Sequence, residues 1–80
     1  MTKFDLSSHA RDMLRERGIR EQWVWRTLES PEREEIGGNG NRHYVKPIPE
    51  YENRFLRVVV NFHAEPNKVI TAFFDRRLRR

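Results

Sequence analysis

Apolar residues along the chain change their period once, near residue 32, from the spacing of helices to the alternation of strands. Leu6, Ala10, Met13 and Leu14, with Arg17 in the same register, share one helical face, while Arg11 and Arg15 point elsewhere. This predicts a first helix that starts at Ser7 or Ser8, whose hydroxyl caps it, runs to about Arg17 and ends at Gly18. Lys3 to Leu6 ahead of it reads as a short edge strand or an extended lead-in. A second helix is expected from near Arg20, with Trp23, Val24, Thr27 and Leu28 as its buried stripe and Pro31 stopping it. Ile19 before the cap can pack on Val24 as a hydrophobic staple, whereas Arg20 is a poor cap. Trp25 falls off the stripe, and if exposed it would anchor an interface.

After Glu32 the pattern is that of strands. Arg33 to Ile36 is a weak strand before the turn-rich run Gly37-Gly38-Asn39-Gly40-Asn41, which reads as a hairpin loop. No Lys-Ser or Lys-Thr follows those glycines and no helix begins there, so a phosphate-binding loop is excluded. Arg42 to Ile48 follows as a strand, with Arg42, Tyr44 and Lys46 on one side and His43 and Val45 on the other. Beyond a turn at Glu50 to Asn53, Arg54 to Phe62 is the strongest strand. It sets Leu56, Val58, Val60 and Phe62 against Phe55, Arg57, Val59 and Asn61. A turn at Glu65-Pro66-Asn67 leads to Lys68 to Asp75, where Val69, Thr71 and Phe73 alternate with Ile70, Ala72 and Phe74. Arg76 to Arg80 then forms a basic tail.

Two amphipathic helices followed by a strand meander bury their apolar faces most economically with both helices on one side of the sheet. The expected class is α+β: two N-terminal helices on one face of a small antiparallel sheet of three to four strands. The uncovered face is then expected to carry Tyr44, Lys46, Arg57 and Asn61, with Thr71 beside them.

Eighty residues suffice for one small domain, spanning 1–80. The absence of cysteine excludes a disulfide framework, thiolate metal sites and a cysteine nucleophile, and suits a reducing compartment. Cytoplasm is the expected location, since no apolar run approaches a membrane span and Met1 to Asp5 lacks a signal-peptide layout. The net charge of +4 is uneven: residues 1–41 are near −1 and residues 42–80 near +5. A basic surface draws polyphosphate by releasing its counterions, which makes RNA the leading expected partner. The same excess also fits a merely solvated surface.

The run Ser8-His9-Ala10 through Glu16-Arg17-Gly18-Ile19, the spacing of Val24, Leu28, Pro31 and Glu32, the segment Leu56-Arg57-Val58-Val59, and the closing Val69-Ile70-Thr71-Ala72 resemble the domain-of-unknown-function family numbered 4258. That resemblance covers nearly the whole chain. It implies a RelE-like fold related to the RelE, ParE and BrnT group of bacterial toxins, some of which are metal-independent ribonucleases and others gyrase inhibitors. It also implies an acidic antitoxin-like partner. Met13 stands where the family tends to have a basic residue, and Arg20 where it favours a small cap.

Metal-free RNA cleavage needs a base, an acid and cations on the phosphate. His9 is the acid/base candidate, against a plain role holding the helix entry through a partner such as Asp5 or Asp75. Arg57 is the candidate cation, against a cross-strand pair with Asp75. Thr71 is placed near them, against a plain role as a strand former, which its β propensity favours. Tyr44 can stack a base while Lys46 holds its phosphate, and Asn61, Arg76 and Arg77 extend that basic surface. His9, His43 and His63 have no metal-ligand spacing, so neither a metal nor another cofactor is expected. The alternatives are a non-catalytic module binding nucleic acid or protein through the same surface, and a homodimer built through edge strands or Trp25. Substrate, base preference and oligomeric state are not legible in the sequence.

Overall fold

A computed structural model of the protein describes residues 4–37 and 39–78. Lys3, Gly38, Arg79 and Arg80, which enter the expectations above, lie outside the described residues. The chain runs β1 (Phe4–Asp5), α1 (Ser8–Glu16), α2 (Glu21–Glu29), β2 (Arg33–Ile36), β3 (Arg42–Ile48), a 3-10 turn (Pro49–Tyr51), β4 (Arg54–Asn61) and β5 (Asn67–Phe74). The class is α+β, as the pattern predicts. The sheet is larger than expected and mixed, with five strands in the order β1-β5-β4-β3-β2. β1 makes the difference: the lead-in pairs in parallel with Asn67 and Lys68 at the start of β5.

Helix α1 starts at Ser7, whose hydroxyl accepts from the Ala10 amide at 3.1 Å, and the chain turns out of it at Gly18 with φ +69°. Ser7→Ala should cost about 1 kcal/mol in urea unfolding, because one of the first-turn amides loses its acceptor. Arg20 caps α2 with no side-chain bond, while Ile19 and Val24 are both buried, as a staple requires.

Leu6, Ala10 and Leu14 from the N-terminal part meet Trp23, Val24 and Leu28 from α2 over Tyr44, Ile48, Leu56, Val58, Val60, Val69 and Ala72 of the sheet. Helix α1 lies along β5 and α2 across β3 and β4, so both cover this one face. The β3–β4 register pairs Tyr44 with Val58 and Lys46 with Leu56, while Val45 pairs with Arg57. Tyr44 and Lys46 therefore share the helix side, and Arg57 looks the other way. That corrects the expected grouping of the three on an uncovered face. Alternation within a strand fixes which residues go together but not which set meets the core, and the Tyr44 ring is apolar enough to be taken inside, 7% exposed.

A second correction lies in β5. Val59 pairs with Thr71 but Val60 pairs with Val69, so the ladder bulges at Ile70. Val69 joins the core beside Ala72, and the extra residue, Ile70, is 46% exposed. No helix among the described residues is long and apolar enough to cross a membrane.

Candidate functional site

Arg57 sits mid-strand in β4, on the face opposite the helices, and is 6% exposed. A guanidinium taken out of water must find acceptors, and three neighbouring strands provide them. Its Nε donates to Asp75 Oδ2 at 2.9 Å, just past β5, and its Nη1 donates to Glu35 Oε1 of β2 at 3.0 Å. Nη1 also lies 3.0 Å from His43 Nδ1 of β3. The register sets up this convergence: Glu35 stands opposite His43, and Arg57 stands opposite Phe73, two residues before Asp75.

Because a guanidinium only donates, His43 Nδ1 must be the acceptor, which leaves the ring proton on Nε2. Burial, followed by the Arg57 charge, pushes the His43 pKa down, against an upward pull from Glu35. The imidazole is thus held neutral, in one tautomer. Its Nε2 edge faces the loop at Gly37, where an added Cβ would lie 2.6 Å from that nitrogen. The missing side chain at Gly37 is what gives the ring its room.

Glu35 is held below the usual carboxylate range by the Arg57 hydrogen bond and charge, with Arg33 contributing, while 40% of its side chain meets solvent. Asp75 is held well below that range, first by the Arg77 side chain and then by the Arg77 amide and Arg57. Arg77 reaches it through Nε at 3.1 Å and Nη2 at 3.0 Å. Since the folded value lies below the unfolded one, Asp75 contributes stability that is complete above about 4. That stability is lost as the pH falls through the depressed folded value. Acid unfolding followed by circular dichroism should show a falling limb below pH 4, and Asp75→Asn should be less stable at neutral pH with a shallower limb.

Arg57 has five N–H donors, of which Nε and Nη1 use three. Nη2 donates to nothing among the described residues, and it is not one of their sealed-off polar atoms without a partner, which are Trp23 Nε1 and Arg42 Nε. One amino group of a guanidinium fixed on its other edges therefore has no acceptor among the described residues. Beside it stand a solvent-reached carboxylate and a neutral imidazole.

The other expected site residues are dispersed. His9 is exposed in the first turn of α1 and makes no hydrogen bond or ion pair among the described residues; Asp75, one expected partner, is taken by arginines. Thr71 is held to α1, accepting from Arg17 Nη1 at 2.9 Å and donating to Met13 Sδ at 3.8 Å. Tyr44 packs edge-on against Phe4 in the core, where it cannot stack a base. Lys46 Nζ donates to the Ser30 carbonyl at 2.7 Å, closing the end of α2. Asn61 accepts from the His63 amide at 3.0 Å. Arg76 is exposed, and Arg77 is the outer partner of Asp75. Trp25 is half-buried against the core and donates to Glu21 at 3.3 Å, which removes it as an exposed anchor. Among the described residues no group of three or more His, Asp or Glu could hold a metal ion.

Glu35 and His43 escape the sequence reading because nothing local marks them. The available signal was the loop Gly37–Asn41: pairing the flanking strands across it puts Glu35 opposite His43.

Residues 6–74 match the family model described as a domain of unknown function (DUF4258). No curated protein and no solved structure matches the chain.

Proposed function

The chain belongs to the DUF4258 family, and from that premise we propose that it is a toxin-like domain that cleaves RNA without a metal, through Glu35, Arg57 and His43. The observation that carries this reading is Nη2 of an otherwise immobilised Arg57, which donates to nothing among the described residues. A donor fixed before the reaction stabilises charge developing on a phosphate without reorganisation. Glu35 takes the proton of a ribose 2′-hydroxyl, and the 2′-oxygen bonds to the adjacent phosphorus as the bond to the 5′-oxygen breaks. A 2′,3′-cyclic phosphate remains, and the departing 5′-oxygen takes its proton from water. His43 Nδ1 accepts from Arg57 Nη1 and so holds the guanidinium in place, a role that needs a neutral imidazole. Descent shared with the RelE, ParE and BrnT toxins, an acidic antitoxin-like partner and a cytoplasmic setting belong to the same proposal. The +5 charge of residues 42–80 supports the RNA and acidic-partner parts of it.

The test is labelled single-stranded RNA incubated with the protein in EDTA at low salt, with cleavage and retention followed together. Cleavage that disappears in Arg57→Ala but persists in His9→Ala supports the assignment. Cleavage that needs His9 and ignores Glu35 would move the chemistry to α1. Retention without cleavage, fading with salt, would favour a non-catalytic binding module. The observation on that side is that Arg57 already faces two carboxylates, Glu35 and Asp75, within 3.0 Å.

A further inference from the structure

An open groove of about 640 Å³ runs between the β3–β4 turn and the segment that follows β5. We propose that it is a binding subsite for one nucleoside phosphate unit, the unit adjoining the phosphate held at Arg57. This placement rests on the RNA-cleaving reading above.

Three features of the groove select that chemistry. The first is its cations. Among the described residues Arg76 is exposed and makes no ion pair, and Arg54 makes one ion pair, at 3.5 Å, with Glu52, itself largely exposed. The other carboxylate at the groove, Asp75, is already taken by Arg57 and Arg77. Two arginines are therefore available to an anion there, as a phosphate requires.

The second is an aromatic wall. Phe74 lines the groove and lies 4.5 Å from the Tyr51 ring at 31°, and both rings lie 6.1 Å from Trp23. Tyr51 is 41% exposed and has the Arg54 guanidinium 5.4 Å from its centroid. Phe74 is the ring that lines the groove, backed by Tyr51 and Trp23 with Arg54 close by; it suits a planar base, and stacking tolerates any of them. The third is a reader of base edges: Asn53 is held at φ +56° on the groove rim, and its amide offers a donor and an acceptor together. A purely apolar ligand would leave these polar groups unmatched.

Continuity places the groove next to the proposed site. Asp75 both lines it and holds Arg57 Nε at 2.9 Å, so the groove and the guanidinium share this residue as a common wall.

Trp23 reports on the groove through its contacts with Tyr51 and Phe74, and a Trp25→Phe background leaves it as the sole indole. In that background, titration with a nucleoside 3′-monophosphate should change the Trp23 fluorescence saturably. The nucleoside alone and inorganic phosphate alone should bind at least tenfold more weakly, as should the nucleotide to Arg54→Ala/Arg76→Ala. An RNA tetranucleotide should bind at least as tightly as the mononucleotide; weaker binding would assign the groove to free nucleotides and overturn the proposal. A flat titration, or one unchanged in the double variant, would also overturn it. The two readings fail separately. Nucleotide binding with uncut RNA keeps the groove and removes the ribonuclease, whereas RNA cut equally well by the double variant keeps the ribonuclease and removes the groove.

Discussion

Glu35→Gln is expected to slow RNA cleavage by on the order of 10²- to 10⁴-fold, the usual contribution of a positioned general base. The substitution keeps the shape and the oxygen that accepts from Arg57, but removes the ability to take a proton. Retention of RNA should change little, so the loss should appear in single-turnover cleavage and not in binding. The pH profile gives an independent check. Arg57 and Arg33 hold the Glu35 carboxyl below its ordinary 4.5, so the wild-type rate should be flat through neutrality and fall only at more acid pH. A rate that drops instead as the pH falls through 7 to 6 would identify a histidine as the base and reject Glu35.

Arg57→Ala should act on the fold as well as on activity. It strands Asp75, 5% exposed, whose remaining side-chain partner is the largely exposed Arg77. Breaking a buried ion pair by removing one partner costs roughly 3–5 kcal/mol, and the retained Arg77 argues for about 3. In a small domain that is a large part of the total, so chemical denaturation should show an early midpoint. The Arg57→Ala/Asp75→Ala double variant should recover part of the loss, because no lone carboxylate is left buried. Strict additivity of the two single losses would mean that the two groups do not interact. Since the single variant weakens the fold, its cleavage assay belongs at a temperature where it is still folded. Glu35→Gln carries the catalytic question more cleanly.

Much of the fold was legible in the sequence. Ser7 before α1, Gly18 after it, Pro31 after α2 and the alternation through β4 each mark a local conformational preference, and local preferences can be read from local sequence. The facing of β3 was not, because Tyr44 and Val45 are both apolar enough to be buried and only the register with β4 decides between them. Nor was the bulge at Ile70, which breaks the alternation between Val69 and Thr71 without a glycine to announce it. At the site, the Arg57–Asp75 pair was foreseeable as the alternative use of Arg57, since Asp75 directly follows β5, the strand antiparallel to β4. Glu35 and His43 join them only through tertiary pairing across a five-residue turn. Lys46, Thr71 and Asn61 have the chemistry of binding residues, yet their polar atoms are spent on a helix end, a strand edge and a turn.

Along the outer side of β5, β1 pairs with only Asn67 and Lys68, and farther on Arg17 Nη1 donates to the Ala72 carbonyl at 2.7 Å. An unpaired strand edge is a template on which another chain can extend the sheet. Here a long cation from a helix end sits where the incoming backbone amide would have to go, and its charge repels a second, equally basic copy. Arg17 thereby closes this stretch of the β5 edge to sheet extension by a second copy.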